Sequence, residues 1–302
     1  MNEKLKKTLK HYVDLDKYAN YVAEELSEEF NICYEECMSI LLHSDYYKTK
    51  ADYSLAYNAI KESVSKFKDK LDERMDKEAE IVKDVETDFL KTLYGTTLTI
   101  GAISLPKLLF MPIDNRDTTK QFAERTTKNI LRSYDNGLRT GYIFGQSSAD
   151  IKQEIDKSLK QVEKGMDNGI ISAIPSYAKN TDKIVFLQNN QEVTWIATLD
   201  GSTCITCAAL NGLRYKSVSE APLYPHFGCR CQVVPTSVID EIPTFEGFIE
   251  SLSDEDQESV LGKNRYKMWK EYGIKLDKFL NNGDPIPLKE LKESINLIGE
   301  KK

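Results

Sequence analysis

The sequence predicts an α+β protein that is predominantly helical. A long N-terminal helical domain is followed by a small mixed domain with short strands around a structural Cys/His metal site. Three observations support this fold class: no Pro or Gly precedes Gly95, the run VTWIATL at 193–199 has the pattern of a strand, and four of the six cysteines lie between Cys204 and Cys231. A chain of 302 residues with 40% apolar content is long enough for two cores.

Residues 1–92 are predicted to form a helical arm or bundle. Apolar residues recur at helical spacing between Lys, Glu and Asp, which indicates two to four amphipathic helices. We expect breaks near Asn31, at Ser44–Asp45 and at Met75–Asp76. Cys33 and Cys37 lie four residues apart on one helix face, where a buried pair of small apolar side chains is favoured over a metal site.

Residues 93–116 are predicted to be an apolar linker. The run from 93 to 112 is the most apolar in the chain and has about the length of a membrane span. It contains several Thr and Ser, two Gly, and Pro106 followed by Lys107, which would interrupt an apolar helix. We therefore expect no membrane span, but a buried linker or a segment that packs into a neighbouring subunit.

Residues 117–239 are predicted to form the domain that contains the metal site. A helix is expected between Arg116 and Gly145, and a second helix is expected to begin with Ser148 as its N-cap. Strands are predicted at IVFLQ (184–188), VTWIATL (193–199), 214–215 and 232–234. In the longest of these, Trp195 would lie on the buried face.

The cysteine spacing indicates a metal centre. Cys204 and Cys207 form a C-x-x-C, Cys229 and Cys231 form a C-x-C, and His226 lies three residues before Cys229. These five candidates compete for the four positions of the tetrahedral site that Zn²⁺ prefers, and we expect one structural zinc ion per chain.

Two other states of the cysteines are open: free thiols in a core, or disulfides. We expect a reducing environment, because the N-terminus lacks the pattern of a secretory signal peptide. A catalytic zinc is less favoured, because it needs three protein ligands and an open position for water, and this window is rich in cysteine. Asp200 fits a turn or cap carboxylate better than a ligand, and Arg230 could donate to the thiolates from outside the ligand set.

Residues 240–302 are predicted to be a helical tail that is first acidic and then basic. Eight acidic residues and no basic residue occur between 240 and 258, and a basic and aromatic run follows from Lys263 to Lys270. That run could contact DNA, but a helix that packs Tyr266 and Trp269 inward and leaves the lysines in solvent is favoured. The net charge of -7 also means that any DNA contact must be local.

Several stretches of the chain resemble a known family. The run W-I-A-T-L-D-G-S-T-C-x-x-C-A-A-L-N-G from Trp195 to Gly212, followed by P-H-x-x-C-R-C from Pro225 to Cys231, is similar to phage head-morphogenesis proteins of the Mu F-like minor head (minor capsid) protein family. The stretches GLRTGYIFGQSSADIKQEI and FEGFIESLSDEDQESVLGKNRYKMWKEYGIKLDKFL also resemble it, so that the similarity covers roughly 120–295. The segment 117–239 would then be a Mu F-like domain.

The resemblance implies a structural protein of the virion, not an enzyme. Members are minor capsid components near the portal vertex that act in head assembly and in DNA packaging or ejection. The expected partners are the portal protein, the major capsid protein or the scaffolding protein. The expected location is the head interior or portal vertex of the virion, and the host cytoplasm during assembly.

The alternative is an enzyme, either a metal-dependent hydrolase or nuclease, or a toxin-like enzyme, that uses the cysteine site. The chain contains only three His, and His226 alone lies near the cysteines. The residues after Pro235 resemble the family's own ending, so we expect no fused catalytic domain. A zinc-stabilised DNA-binding protein of the host is disfavoured by the negative net charge.

Overall fold

The structure, a computed structural model, describes residues 3–42, 49–114, 117–198, 203–223, 228–239, 242, 244–281 and 284–291. The chain forms two compact units. The helical unit consists mainly of Val13–Asp182, and the mixed unit contains the first twelve residues and most of the chain from Lys183 onwards.

Two long helices begin the chain. Helix α1 covers Glu3–Leu42 and helix α2 covers Lys50–Tyr94. The breaks expected near Asn31 and at Met75–Asp76 are wrong, because both helices are continuous there and neither position has the Pro or Gly that ends a helix. Met75 is instead fully buried. The third expected break, at Ser44–Asp45, lies outside the described residues.

The predicted linker contains two short elements. A 3₁₀ turn, Gly95–Thr97, follows α2, and helix α3 covers Leu105–Leu109 with Pro106 near its start. Leu108 is fully buried, whereas Phe110 has 80% of its side chain exposed. In the described part of the chain, no helix has the length and apolar character needed to cross a membrane.

Helices α4 (Thr119–Phe144) and α5 (Ser148–Gln188) complete the helical unit. Thr118 and Gln121 form a capping box at the start of α4. Ser147, not Ser148, caps α5: its hydroxyl accepts a hydrogen bond from the Asp150 backbone N–H at 3.2 Å. The cap lies one residue earlier than expected, which is the usual uncertainty for a helix end.

The strand expected at 184–188 is wrong, because these residues are the last turns of α5. The run IVFLQ is apolar and rich in β-formers, but a short apolar run does not distinguish a strand from a buried helix. Ile184, Val185 and Phe186 are all buried. Their apolar character reflects a helix that is covered on several sides.

Polar bonds tie the four long helices of the helical unit to one another. The Tyr34 hydroxyl of α1 donates to Asp156 of α5 at 2.6 Å, and Ser27 of α1 donates to Asp167 of α5 at 2.7 Å. The Tyr53 hydroxyl of α2 donates to Asp135 of α4. The N-terminal helices therefore share their core with α4 and α5.

The mixed unit is built on a three-stranded antiparallel sheet with the order β2-β1-β3. Strand β1 is Val193–Ile196, helix α6 is Ile205–Leu210, β2 is Arg214–Tyr215 and β3 is Gln232–Pro235. Trp195 lies opposite Val233 and is fully buried, as expected. The predicted strand 193–199 is shorter than expected, and all four residues of β1 are buried, so both faces of the strand are covered.

The tail folds as a small helical cluster within the mixed unit. Helices α7 (Phe245–Ser251), α8 (Asp254–Leu261) and α9 (Lys263–Lys270) precede a 3₁₀ turn, Leu276–Phe279, and a two-stranded pairing of β4 (Leu280–Asn281) with β5 (Asp284–Pro285). Tyr266 and Trp269 are half-buried against this cluster, and the lysines of α9 are exposed. The predicted fold class, a helical N-terminal part followed by a small region with short strands beside a cysteine cluster, is confirmed.

Candidate metal centre

The first cysteine pair is positioned by helix α6. Cys204 is its N-cap, and the Cys204 thiol accepts a hydrogen bond from the backbone N–H of Cys207 at 3.4 Å. The C-x-x-C spacing therefore places Cys207 in the first turn of the helix, beside its partner. Cys207 is buried, and Cys204 is partly exposed.

The second pair is positioned by the sheet. Cys231 directly precedes β3, and β3 pairs along its whole length with β1. The Thr198 hydroxyl donates to the backbone carbonyl of Arg230 at 3.3 Å, which continues the contact beyond the strand ends. Gly228, with a φ of 68°, turns the chain just before Cys229. Cys229 and Cys231 are both buried.

These elements bring three thiols together. The sulfur atoms of Cys207, Cys229 and Cys231 lie within 4.8 Å of one another, and those of Cys207 and Cys229 are 3.6 Å apart. A disulfide requires about 2.05 Å, so this pair is not bonded. A tetrahedral site with Zn–S bonds of about 2.3 Å has sulfur–sulfur edges of about 3.8 Å. The cluster could hold a metal ion, and its spacing fits such a site.

Two of these thiols, Cys207 and Cys231, hold their protons strongly, because the pKa of each is raised. Hydrogen bonds with Cys204, Cys229 and Cys231, together with burial, raise the pKa of Cys207. A hydrogen bond with Cys207 lowers the pKa of Cys231, but the hydrogen bond with Cys229 and burial outweigh it and raise that pKa to about 12. Packed thiols resist ionisation because several negative charges cannot share one buried site. A bound cation would remove this obstacle, as it does wherever thiolates are ligands.

The structure describes four of the five predicted ligands. Cys207, Cys229 and Cys231 form the cluster, and Cys204 lies beside it through its bonds with Cys207. His226 and Asp200 lie outside the described residues. All six cysteines lie within described ranges and are free thiols. Cys33 and Cys37 are buried on α1 in the helical unit, as expected, and are not part of the cluster.

Helix α4 ends in an exposed apolar tip that was not predicted from the sequence. Tyr142, Ile143 and Phe144 are consecutive, and their side chains are 46%, 68% and 74% exposed. The signal in the sequence is three large apolar residues in a row directly before Gly145, because a helix with one buried face cannot bury three successive side chains. Exposed apolar groups that lie together mark sites of protein contact.

Comparisons with known proteins gave no match. Protein-family models, curated proteins and solved structures were all searched without a match.

Proposed function

We propose that this chain is a minor head protein of a tailed bacteriophage. It acts as a structural component near the portal vertex, in head assembly and in DNA packaging or ejection. Its partners are the portal protein, the major capsid protein or the scaffolding protein. The proposal is based on the resemblance of the segments around Trp195 and Cys231, and it assigns no catalytic role to the chain.

One observation supports this proposal more than any other. The two segments that carry the resemblance, Trp195–Gly212 and Pro225–Cys231, supply thiols to a single cluster, Cys207 from the first and Cys229 and Cys231 from the second. A pattern of residues that is split along the chain but joined in space is what a shared structural centre requires. The cluster consists of soft sulfur donors, which suits a closed site that stabilises a fold.

Exposed apolar side chains at two places in the helical unit support a role in assembly. One place is the tip formed by Tyr142, Ile143 and Phe144, and the other is Phe110 after α3. A protein that works in isolation gains nothing from exposing such groups to water, whereas a head component can bury them against its neighbours.

We further propose that the cluster binds one structural Zn²⁺. Cys207, Cys229 and Cys231 supply three ligands, and the fourth is Cys204 or His226. The metal would fix α6 against the start of β3, two elements of only six and four residues.

The metal is tested by elemental analysis of the purified protein, which should contain about one zinc per chain. Cys207→Ser should lose the metal and destabilise the mixed unit, since metal binding contributes to folding. Cys37→Ser is the matched control, because this buried cysteine lies in the other unit and should leave the zinc content unchanged. A protein with six free thiols and no bound metal would contradict the zinc assignment.

The absorption spectrum of the Co²⁺-substituted protein identifies the fourth ligand. Four sulfur ligands and a set of three sulfurs with one nitrogen give different charge-transfer and ligand-field bands. If Cys204 is the ligand, Cys204→Ser changes the spectrum and His226→Ala does not. If His226 is the ligand, the two variants exchange their effects.

The role in the head is tested on purified particles. Mass spectrometry should find the protein in a few copies per particle, and immunogold labelling should locate it at one vertex. A protein that is absent from particles, or that hydrolyses a nucleic acid or peptide only when its cysteine cluster is intact, would refute the proposed function.

A further inference from the structure

A polar groove runs between α4 and α5 in the helical unit. It has a volume of about 360 Å³ and is open to solvent. Its eleven lining residues are all described, and they include no carboxylate and no aromatic side chain. The residues that can donate hydrogen bonds to a ligand are Arg125, Asn129, Arg132 and Asn136 from α4, and Ser158 and Gln161 from α5.

Close helix packing at both ends holds the groove in a fixed shape. At one end, a Cβ atom on Gly141 would come within 2.1 Å of the Ile151 side chain. At the other end, a Cβ atom on Gly169 would come within 2.1 Å of the Phe122 ring. Between these two contacts the floor is polar, since the hydroxyls of Ser133 and Ser158 are 2.6 Å apart. The donors therefore stand on two helices whose separation is set by packing.

Three acidic residues of the two helices bond to other helices and not to groups in the groove. Asp156 and Asp167 of α5 accept hydrogen bonds from Tyr34 and Ser27 of α1, and Asp135 of α4 accepts one from Tyr53 of α2. The groove is thus a local basic region on a chain whose net charge is -7. Such a segregation of charge creates a local field that attracts anions.

The two guanidinium groups of the groove differ in their pairing. Arg125 is bound to Asp117, with its Nε at 2.7 Å from the Asp117 carboxylate. Arg132 is exposed, and within the described ranges no carboxylate lies within ion-pair distance of it. One cation is therefore available to a ligand at once, and the second would become available by leaving Asp117.

We propose that this groove binds the sugar-phosphate backbone of double-stranded DNA without sequence preference. Arginine, Asn, Gln and Ser are the side chains that donate to phosphate oxygens at DNA interfaces. From Arg125 to Asn136 the helix advances about 16 Å, which is long enough to follow several phosphates of one strand. The lining residues include no aromatic side chain, so the groove lacks the aromatic platform on which proteins stack the bases of single strands.

The biological setting of this contact rests on the proposed function, since a protein near the portal vertex encounters DNA. The contact itself rests on the groove alone. The two are tested separately: a protein found in phage heads that does not bind DNA would retain the proposed function and overturn the groove assignment.

The experiment measures binding of the full-length protein to a fluorescein-labelled duplex of about 20 base pairs by anisotropy, at salt concentrations from about 50 to 200 mM. The logarithm of the association constant should fall with the logarithm of salt concentration with a slope of about -2, as expected for two neutralised phosphates. Arg132→Ala should lower the affinity about tenfold. It should also make the slope less steep, at about -1, because one phosphate contact is lost.

Two further variants distinguish the groove from other sources of binding. Asp117→Asn removes the carboxylate that competes for Arg125 and should raise the affinity, an effect that structural damage would not produce. Lys267→Ala, in the basic run of α9, removes the same charge from the other unit and should leave binding unchanged.

Three results would overturn the proposal: no salt-dependent binding by the unmodified protein, the wild-type affinity in Arg132→Ala, or a loss of binding in Lys267→Ala alone. Competition settles the class of ligand. Displacement of the duplex by polyglutamate as readily as by unlabelled duplex would identify an acidic-protein site, and displacement by inorganic phosphate at equal phosphate concentration would identify a free-anion site.

Discussion

A buried carboxyl group in the helical unit should make the stability of this protein depend on pH. Glu86 of α2 has no exposed surface, and it shares a hydrogen bond with Asp182 of α5. Burial raises the pKa of Glu86 from 4.5 to about 8, although the bond with Asp182 partly opposes this. Glu86 is therefore mostly neutral in the folded protein at neutral pH.

The direction of the effect follows from proton binding. The folded pKa is above the unfolded pKa, so the folded state holds the proton more tightly. The resulting stability is fully present below pH 4.5 and is lost as the pH rises through about 8. Within this pH range, each rise of one pH unit lowers the free energy of unfolding by about 1.4 kcal/mol at most. The free energy of unfolding should therefore fall by about 2.5 kcal/mol between about pH 5.5 and pH 7.5.

The variant that tests this reasoning is Glu86→Gln, which has nearly the same shape and cannot ionise. Urea unfolding followed by far-UV circular dichroism should give a smaller loss of stability for the variant than for the wild type over that pH range, by about 2.5 kcal/mol. The variant should be the more stable protein near pH 8. If the two proteins lose stability in parallel, or if the variant is destabilised most at high pH, Glu86 is charged in the fold and the reasoning fails.

Two more predictions follow from packing and exposure. Gly169→Ala should destabilise the helical unit by about 1 to 3 kcal/mol, because the new methyl group would collide with Phe122. Gly165 lies one turn earlier in α5, and a methyl group there would meet open space, so Gly165→Ala should stabilise the helical unit by about 0.5 to 1 kcal/mol. Thermal unfolding of both variants checks the two predictions. Ile143→Asp combined with Phe144→Asp should leave the unfolding midpoint unchanged but prevent incorporation into heads in a complementation assay. Normal incorporation of this double variant would show that the tip makes no contact needed for assembly.

Helical periodicity predicted the long helices well but placed their breaks poorly. The absence of Pro and Gly before Gly95 was the correct signal for continuous helix, and it also argued against breaks at Asn31 and Met75. A polar residue in an amphipathic pattern faces solvent without ending the helix.

The strand predicted at 184–188 failed for a different reason. Local sequence preference was overridden by tertiary packing, because Ile184, Val185 and Phe186 are buried at three successive positions of α5. A helix in that position needs apolar residues at successive positions and loses the periodic pattern that normally distinguishes it from a strand. Whether such a segment forms a helix or a strand is decided by its packing against the rest of the fold.

Sequence spacing found the cysteine cluster because the relevant geometry is local within each pair. A C-x-x-C at a helix start and a C-x-C at a strand start each fix two sulfurs near one another. The meeting of the pairs depends on the pairing of β1 with β3, which spacing alone does not determine. The polar groove could not be predicted from spacing, since its hydrogen-bond donors come from two helices. Its local positive charge depends on where the acidic side chains of these helices point, and spacing does not determine that.

The capping role of Cys204 links the cysteine cluster to the tail. Helix α6 has six residues, too few for a helix to persist by its own hydrogen bonds, and its first turn depends on the Cys204 sulfur as an acceptor. The same helix carries Ala208 into the fully buried centre of the tail cluster, where Trp269 also packs. A thiolate accepts the capping bond more strongly than a thiol. If the cluster binds a metal through Cys204, loss of that metal would weaken this cap, fray α6 and loosen the tail, and the fluorescence of Trp269 would then report metal occupancy.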